Sequence, residues 1–215
     1  MWALTPSPRT IPLPAPDAAR LTPLWPHSGA ALAALFVALV LLGAELAMGR
    51  PPTCTCGVVR FWAGEVASAQ NSQQVADWYS FSHVIHGLLF YAAAQLIWHR
   101  WGLSRWLSPR WALPVAVACE SLWEVLENSP IIIDRYRAVT ISYGYSGDSV
   151  LNSLSDVGWM AIGFLVAARI PAWASVVLAL VFEAFTLFMI RDNLALNVLM
   201  LIWPIDAVRD WQALG

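Results

Sequence analysis

The stretch SGAALAALFVALVLLGAELAM, residues 28–48, decides the class of fold to which this chain belongs. Its apolar run is interrupted only by Glu45. At about 1.5 Å of rise per residue, a helix of this length crosses the hydrocarbon core of a bilayer, which is roughly 30 Å thick. We therefore predict a transmembrane helix. A cleaved signal peptide is the alternative interpretation, but the apolar run exceeds the usual signal core and the tail before it is long.

Further apolar segments follow the first, separated by polar or charged residues. They predict an all-α polytopic membrane helix bundle of about five transmembrane helices. Another apolar segment, residues 194–203, is too short to span and is expected to form a short C-terminal helix that is interfacial or re-entrant. The predicted spans after the first cover residues 79–98, 111–127, 149–168 and 171–190.

The composition supports this class and limits the expected partners. Of the 215 residues, 59% are hydrophobic and 12% are charged, whereas about a quarter of a soluble domain is charged. The net charge is -2 and the arginines are scattered singly, so no nucleic-acid partner is expected. Membrane lipids are the expected partners, and protein partners stay open.

The two ends of the chain differ in character. Residues 1–28 are rich in proline and show no hydrophobic period, which predicts a disordered tail, followed by a single membrane-embedded helical domain over residues 29–215. The link between the second and third spans carries Arg100, Arg105 and Arg110. By the positive-inside rule this link is cytoplasmic, and the amino terminus is then cytoplasmic as well.

Ionisable and amide side chains fall in the second half of the odd-numbered spans and in the first half of the even-numbered spans. Successive spans are antiparallel, so these groups should meet at one side of the membrane and form a polar pocket that opens to the extracytoplasmic side. Such groups are tolerated in a bilayer when they face the bundle interior and find partners. They are Glu45, His83, His86, Glu120, Glu124, Glu127, Asn152, Asp156 and Glu183.

Three interpretations of this pocket stay open, the last of which is catalysis by the same residues without a metal. Histidines one turn apart with carboxylates from facing helices are typical of metal sites in helix bundles, and a bound divalent metal could activate water toward a lipid or envelope precursor. The alternative is a polar brace that fixes helix packing in a non-catalytic protein that binds a lipid or protein partner. In the first interpretation, the metal ligands are His83, His86, Glu120 and Asp148, and the catalytic residues are Glu124, Asp156 and Arg137.

Smaller features carry less specific predictions. Cys54 and Cys56 could bind metal or be redox-active, but two cysteines make an incomplete site and their separation is too short for an easy disulfide. Glu45 and Glu183 either pair with nearby arginines or join the pocket. Gly158 and Gly163 are expected to permit close helix contact.

Five ordered motifs resemble a bacterial inner-membrane family catalogued as uncharacterised protein family 0314. The resemblance implies a multi-pass cell-membrane location and brings no activity with it. A fainter likeness, to VanZ-like membrane proteins, has matching residues at His86, Glu124, Arg137, Asp148 and Asn152 and implies a link to the cell envelope. The motifs are PPTCTCG at 51–57, NSQQVADWYSFSHVIHG at 71–87, SLWEVLENSPIIIDRYR at 121–137, GDSVLNSLSD at 147–156 and RDNLALNVLMLIWP at 191–204.

Overall fold

A computed structural model describes residues 26–140 and 144–213. Over these residues the chain is all-α, as predicted, and forms no β-strand. Residues 1–25, most of the predicted tail, lie outside the described residues, so the tail and the domain boundary stay predictions. The α-helices of the described part are α1 (Ser28–Ala47), α2 (Ser80–Gln95), α3 (Ala112–Glu127), α4 (Pro130–Val139), α5 (Val150–Ala167), α6 (Ala172–Ile190), α7 (Leu194–Ile202) and α8 (Asp206–Ala213).

Among the described residues, four helices are long and apolar enough to cross a membrane: α1, α5, α6, and α2 together with the π-helical turn Leu96–Arg100 that continues it. The chain is therefore a membrane protein. The third predicted span corresponds to α3, whose 16 residues make a helix about 24 Å long. Length thus supports four spans rather than five, and a crossing by α3 stays a prediction.

Helices α2 and α5 touch through a pair of glycines. A Cβ atom added to Gly87 would collide with the backbone carbonyl of Met160, and one added to Gly163 would collide with the carbonyl of Val84. The missing side chains let the two backbones come nearly into contact. Of the two glycines predicted to permit close packing, Gly163 does so, whereas a Cβ atom on Gly158 would meet nothing within 4 Å.

The apolar core and the buried polar groups occupy opposite ends of the bundle. The core includes Leu41, Trp98, Met160 and Phe164, packed against the first turns of α3. Buried polar side chains lie on the N-terminal halves of α2 and α5 and on the C-terminal half of α3. Since α3 runs antiparallel to the other two helices, these halves meet, and the predicted gathering of polar groups at one end is confirmed.

Short helices cover this polar end. The segment 128–148, which lies between two predicted spans, contains α4. This helix begins with Pro130, a residue favoured in the first helical turn because its missing N–H needs no partner there. The predicted C-terminal helix is α7, and an amphipathic helix, α8, follows it. Tyr136 of α4 donates a hydrogen bond to Asn197 of α7 at 2.9 Å, which joins the two covering helices.

The polar loop between α1 and α2 packs against the same end. Arg50 donates hydrogen bonds to the backbone carbonyls of Ser146 and Asp148. Cys54 and Cys56 are joined in a disulfide, although their separation was expected to be too short for an easy one. Because both sulfur atoms are used in this bond, they are not metal ligands.

Candidate metal site

Both histidines of α2 contact one carboxylate of α3. His83 Nδ1 lies 2.7 Å from Oε1 of Glu120, and His86 Nδ1 lies 2.9 Å from the same oxygen. Their spacing of three residues puts the two rings on one face of α2. Glu120 is fully buried, and an ionised carboxylate only accepts hydrogen bonds, so each ring turns its Nδ1–H toward it. The Nε2 atoms are left for other partners.

The next carboxylate on this face of α3 has no hydrogen-bond partner among the described residues. Glu124 is 1% exposed, and neither of its carboxylate oxygens is bonded. Its Oε1 lies 3.7 Å from His83 Nδ1, which is too far for a hydrogen bond. Burying an unpartnered carboxylate costs several kcal/mol. Glu124 therefore needs a cation or a proton.

Asp156 of α5 faces the other nitrogen of His83. Its Oδ2 lies 3.7 Å from His83 Nε2, and its Oδ1 has no partner among the described residues. Zinc binds nitrogen and oxygen ligands at about 2.0–2.2 Å, so two ligand atoms of one tetrahedral zinc ion are roughly 3.3 Å apart. The 3.7 Å between His83 Nε2 and Asp156 Oδ2 is therefore close to the distance between two ligand atoms of one bound cation.

The described residues contain three overlapping groups in which one ligand atom from each member lies within 4.8 Å of the others. His83 is common to the first two groups, and Glu124 to the last two. The cluster is thus continuous across three helices and the loop before α5. The groups are His83, His86 and Glu120; His83, Glu124 and Asp156; and Glu124, Glu127 and Asp148.

Negative charge dominates the cluster. Its members include five carboxylates and two histidines. Each ion pair that the described residues form with these carboxylates comes from His83 or His86. An excess of buried carboxylates stabilises bound cations and disfavours anions, unless the anion is bridged by a metal.

Neutral donors hold Asp148 in place. Its Oδ1 accepts a hydrogen bond from Tyr145 at 2.9 Å, and its Oδ2 accepts one from Asn128 at 3.0 Å. Burial raises the pKa of the Asp148 carboxyl to about 6. A cation beside this carboxylate would oppose that shift, because it stabilises the charged form.

A cavity of about 280 Å³ reaches the cluster. Asp77 at its rim accepts hydrogen bonds from the backbone N–H groups of Ser72 and Tyr79, and burial raises the pKa of its carboxyl. Both polar cluster residues and apolar side chains line its wall, a combination that suits an amphipathic molecule. The cluster members in the wall are His83, His86, Glu120, Glu127, Asp148 and Asp156, and the apolar members include Phe90, Trp123, Leu194 and Val198.

Arg137 is not part of the cavity wall. Its side chain donates to the backbone carbonyl of Tyr145 and lies 3.6 Å from Asp134 on the surface of α4. The structure therefore does not bring this predicted catalytic residue to the other predicted site residues, which do lie together. Arg137 instead positions the loop that carries Tyr145.

The roles of Glu45 and Glu183 were left open by the sequence. Both accept hydrogen bonds from residues outside the three groups of ligand atoms. Glu45 accepts a hydrogen bond from Asn128 at 3.2 Å. The carboxylate of Glu183 accepts from the backbone N–H groups of Leu194 and Ala195, each at 3.0 Å, and so caps the N-terminus of α7. Neither glutamate forms the predicted ion pair with a nearby arginine.

Asn128 has a central role that sequence reasoning missed. Its amide donates to Asp148 and Ser153 besides Glu45, and its carbonyl oxygen accepts from the backbone N–H of Asp148. Its position in the sequence could have indicated this role, because Asn128 follows Glu124 by four residues and so lies on the same face at the end of α3.

Fold and site together define a polytopic helical membrane protein with a buried cluster of histidines and carboxylates. The chain belongs to the family described as "Protein of unknown function (DUF2585)", whose model matches residues 45–214. Its relatives carry the name UPF0314 protein, which confirms the family resemblance predicted from the motifs. The likeness to VanZ-like proteins stays a resemblance of motifs.

The relatives resemble the chain over most of its length. The UPF0314 protein of Novosphingobium aromaticivorans is 65% identical over 89% of this chain and 96% of its own. That of Sphingopyxis alaskensis is 54% identical over 86% and 93%, respectively. That of Paracoccus denitrificans is 54% identical over 90% and 94%. No solved structure matches the chain.

Proposed function

We propose that this protein is a membrane-embedded enzyme that uses a divalent cation to hydrolyse an ester of a lipid or envelope precursor. The observation that carries the proposal is Glu124, a buried carboxylate beside His83 and Asp156 whose two oxygens accept no hydrogen bond from the described residues. A cation bound there would compensate the cost of burying these groups.

We assign different roles to the carboxylates on the basis of their contacts. The ligands of the cation are His83 through Nε2, Asp156 and Glu124. Glu120 does not bind the ion; it accepts the Nδ1–H of His83 and orients the ring, an arrangement common around metal-bound histidines. His86, bonded to the same carboxylate and 20% exposed at its side chain, faces the cavity and serves as a proton carrier.

The chemistry follows from the charge of the ion. A zinc ion lowers the pKa of a bound water to about 7. A bound ion would supply this activated water for attack on the phosphorus or acyl carbon of the ester, and His86 would take up the proton that the water loses. The ester bond would then break, and the departing oxygen would take up the proton from His86. The apolar part of the cavity wall accommodates the hydrocarbon portion of the substrate.

We place the protein in the bacterial inner membrane with the polar end on the extracytoplasmic side. The arginine-rich link after α2 lies at the opposite end and favours a cytoplasmic position for that end. The disulfide between Cys54 and Cys56 lies in the loop at the polar end, and disulfides persist in oxidising compartments such as the periplasm. Both features support the same orientation.

A second candidate is a non-catalytic protein in which the cluster braces the helices and the cavity binds a lipid or protein partner. The observation that favours it is Glu120, which joins both histidines of α2 to α3 without any ion. In that case His83 carries a second proton on Nε2, directed at Asp156.

Metal analysis of detergent-purified protein separates the two candidates. We expect at least one zinc, manganese or magnesium ion per chain after equilibration, and its loss in Glu124→Gln. Glu45→Gln is the matched control, because Glu45 is also fully buried but belongs to none of the three groups; it should retain the ion. A wild-type protein that takes up no ion, and gains no thermal stability from any of the three, would favour the brace.

A further inference from the structure

The third group of ligand atoms contains no histidine. It consists of Glu124, Glu127 and Asp148, with one oxygen of each within 4.8 Å of the others. Glu127 and Asp148 line the cavity. Oxygen-only sites suit the harder cations magnesium, manganese and calcium rather than zinc.

Glu124 connects this group to the one around His83. It is the shared member, it is 1% exposed, and neither of its carboxylate oxygens has a hydrogen-bond partner among the described residues. Glu124 needs only one oxygen as a ligand in each group, and because neither oxygen accepts a hydrogen bond, the carboxylate can bind one cation through each. A carboxylate that bridges in this way holds two cations at the separation of about 3.5–4 Å found in two-metal enzymes.

Charge also argues for two ions. The five carboxylates of the cluster carry five negative charges when they are ionised. One divalent cation leaves an excess of three negative charges in a part of the bundle that is largely removed from water, whereas two cations leave an excess of one. The smaller excess is the less costly to bury.

We propose that the cluster is a two-cation centre bridged by Glu124, with the second cation held by Glu127 and Asp148, and that its substrate is a phosphate ester. The inference rests on the proposed function and narrows it. Two adjacent cations stabilise both the attacking and the departing oxygen of a phosphoryl group. They also give an anionic phosphate a place among carboxylates that would otherwise repel it.

Manganese binding to the purified full-length protein, followed by electron paramagnetic resonance, tests the inference. We expect two Mn²⁺ ions per chain and a spin-coupled spectrum. Glu127→Gln should bind a single ion with an uncoupled six-line signal, and Glu45→Gln should behave as the wild type. Inorganic phosphate added to the two-ion form should alter the coupled spectrum.

Different failures have different meanings. One uncoupled ion in the wild type overturns the two-cation centre and leaves the proposed metal site standing. No bound ion overturns both. A coupled spectrum that phosphate does not change overturns the assignment of a phosphate ester. Because these outcomes are read from the wild type, misfolding of a variant does not affect them.

Discussion

His83 of α2 and Glu120 of α3 are joined by a contact of 2.7 Å between Nδ1 and Oε1, with both side chains buried. The contact fixes which nitrogen of the ring faces the carboxylate. It thereby turns Nε2 toward Asp156 and toward the proposed cation. In the proposed site, Glu120 thus orients the ring of His83 without itself being a ligand of the ion.

Glu120→Gln tests this control. The amide carbonyl can accept only one of the two ring N–H groups well, so we expect the affinity for the divalent cation to fall about 10- to 100-fold while the protein stays folded. Competition with a chelator of known affinity measures the change. Glu65→Gln, at an exposed carboxylate in the loop before α2, is the control. Equal affinities in the two variants would show that Glu120 does not orient the ligand.

The close contact of α2 with α5 predicts a difference between two glycines of the same helix. Gly163→Ala places a methyl group against the carbonyl of Val84, and such overpacking costs about 1–3 kcal/mol. Gly158→Ala meets open space and should leave the stability equal or slightly higher. Thermal unfolding of both variants in one detergent provides the comparison. A similar loss in both would contradict the glycine contact.

Asp192, which lies after α6, predicts a dependence of stability on pH. Burial raises the pKa of its carboxyl from 3.8 to about 6. A carboxyl whose pKa is raised by folding favours the folded state below about pH 4, where the group is protonated. This contribution to the free energy of unfolding is lost as the pH rises through 6. We therefore expect the stability difference between wild type and Asp192→Asn to shift in favour of the variant from pH 4 to pH 7.

Thermal unfolding of both proteins over this range measures that difference. The pKa of Asp148 is also raised to about 6, but this group is present in both proteins and cancels in the comparison. A difference that does not vary with pH would contradict the assignment to Asp192.

The proposed orientation predicts which loops react from outside. In a Cys119→Ala background, Glu65→Cys should react with a membrane-impermeant maleimide in spheroplasts, and Arg105→Cys should react only after permeabilisation. The disulfide protects Cys54 and Cys56, and the background chain without a new cysteine shows any residual labelling. The opposite pattern would place the polar end in the cytoplasm.

Much of the fold and part of the site could be predicted from sequence. Hydropathy and segment length are local properties, so four apolar segments were assigned correctly as long helices. The spacing of Glu120, Glu124 and Glu127 places them on one helical face, and antiparallel succession brings them to His83 whatever the details of packing. The cluster is therefore implied by the order of residues along the chain.

Only the tertiary structure decided which of these groups have partners. The rotation of each helix and the close approach at Gly87 and Gly163 fix the distances between side chains to within a few tenths of an ångström. No local sequence pattern encodes distances at that precision. They give Glu120 hydrogen bonds to both histidines and leave Glu124 with no hydrogen bond, 3.7 Å from His83. In the same way α4 carries Arg137 away from the cavity, because the direction of a side chain depends on the surface against which its helix packs.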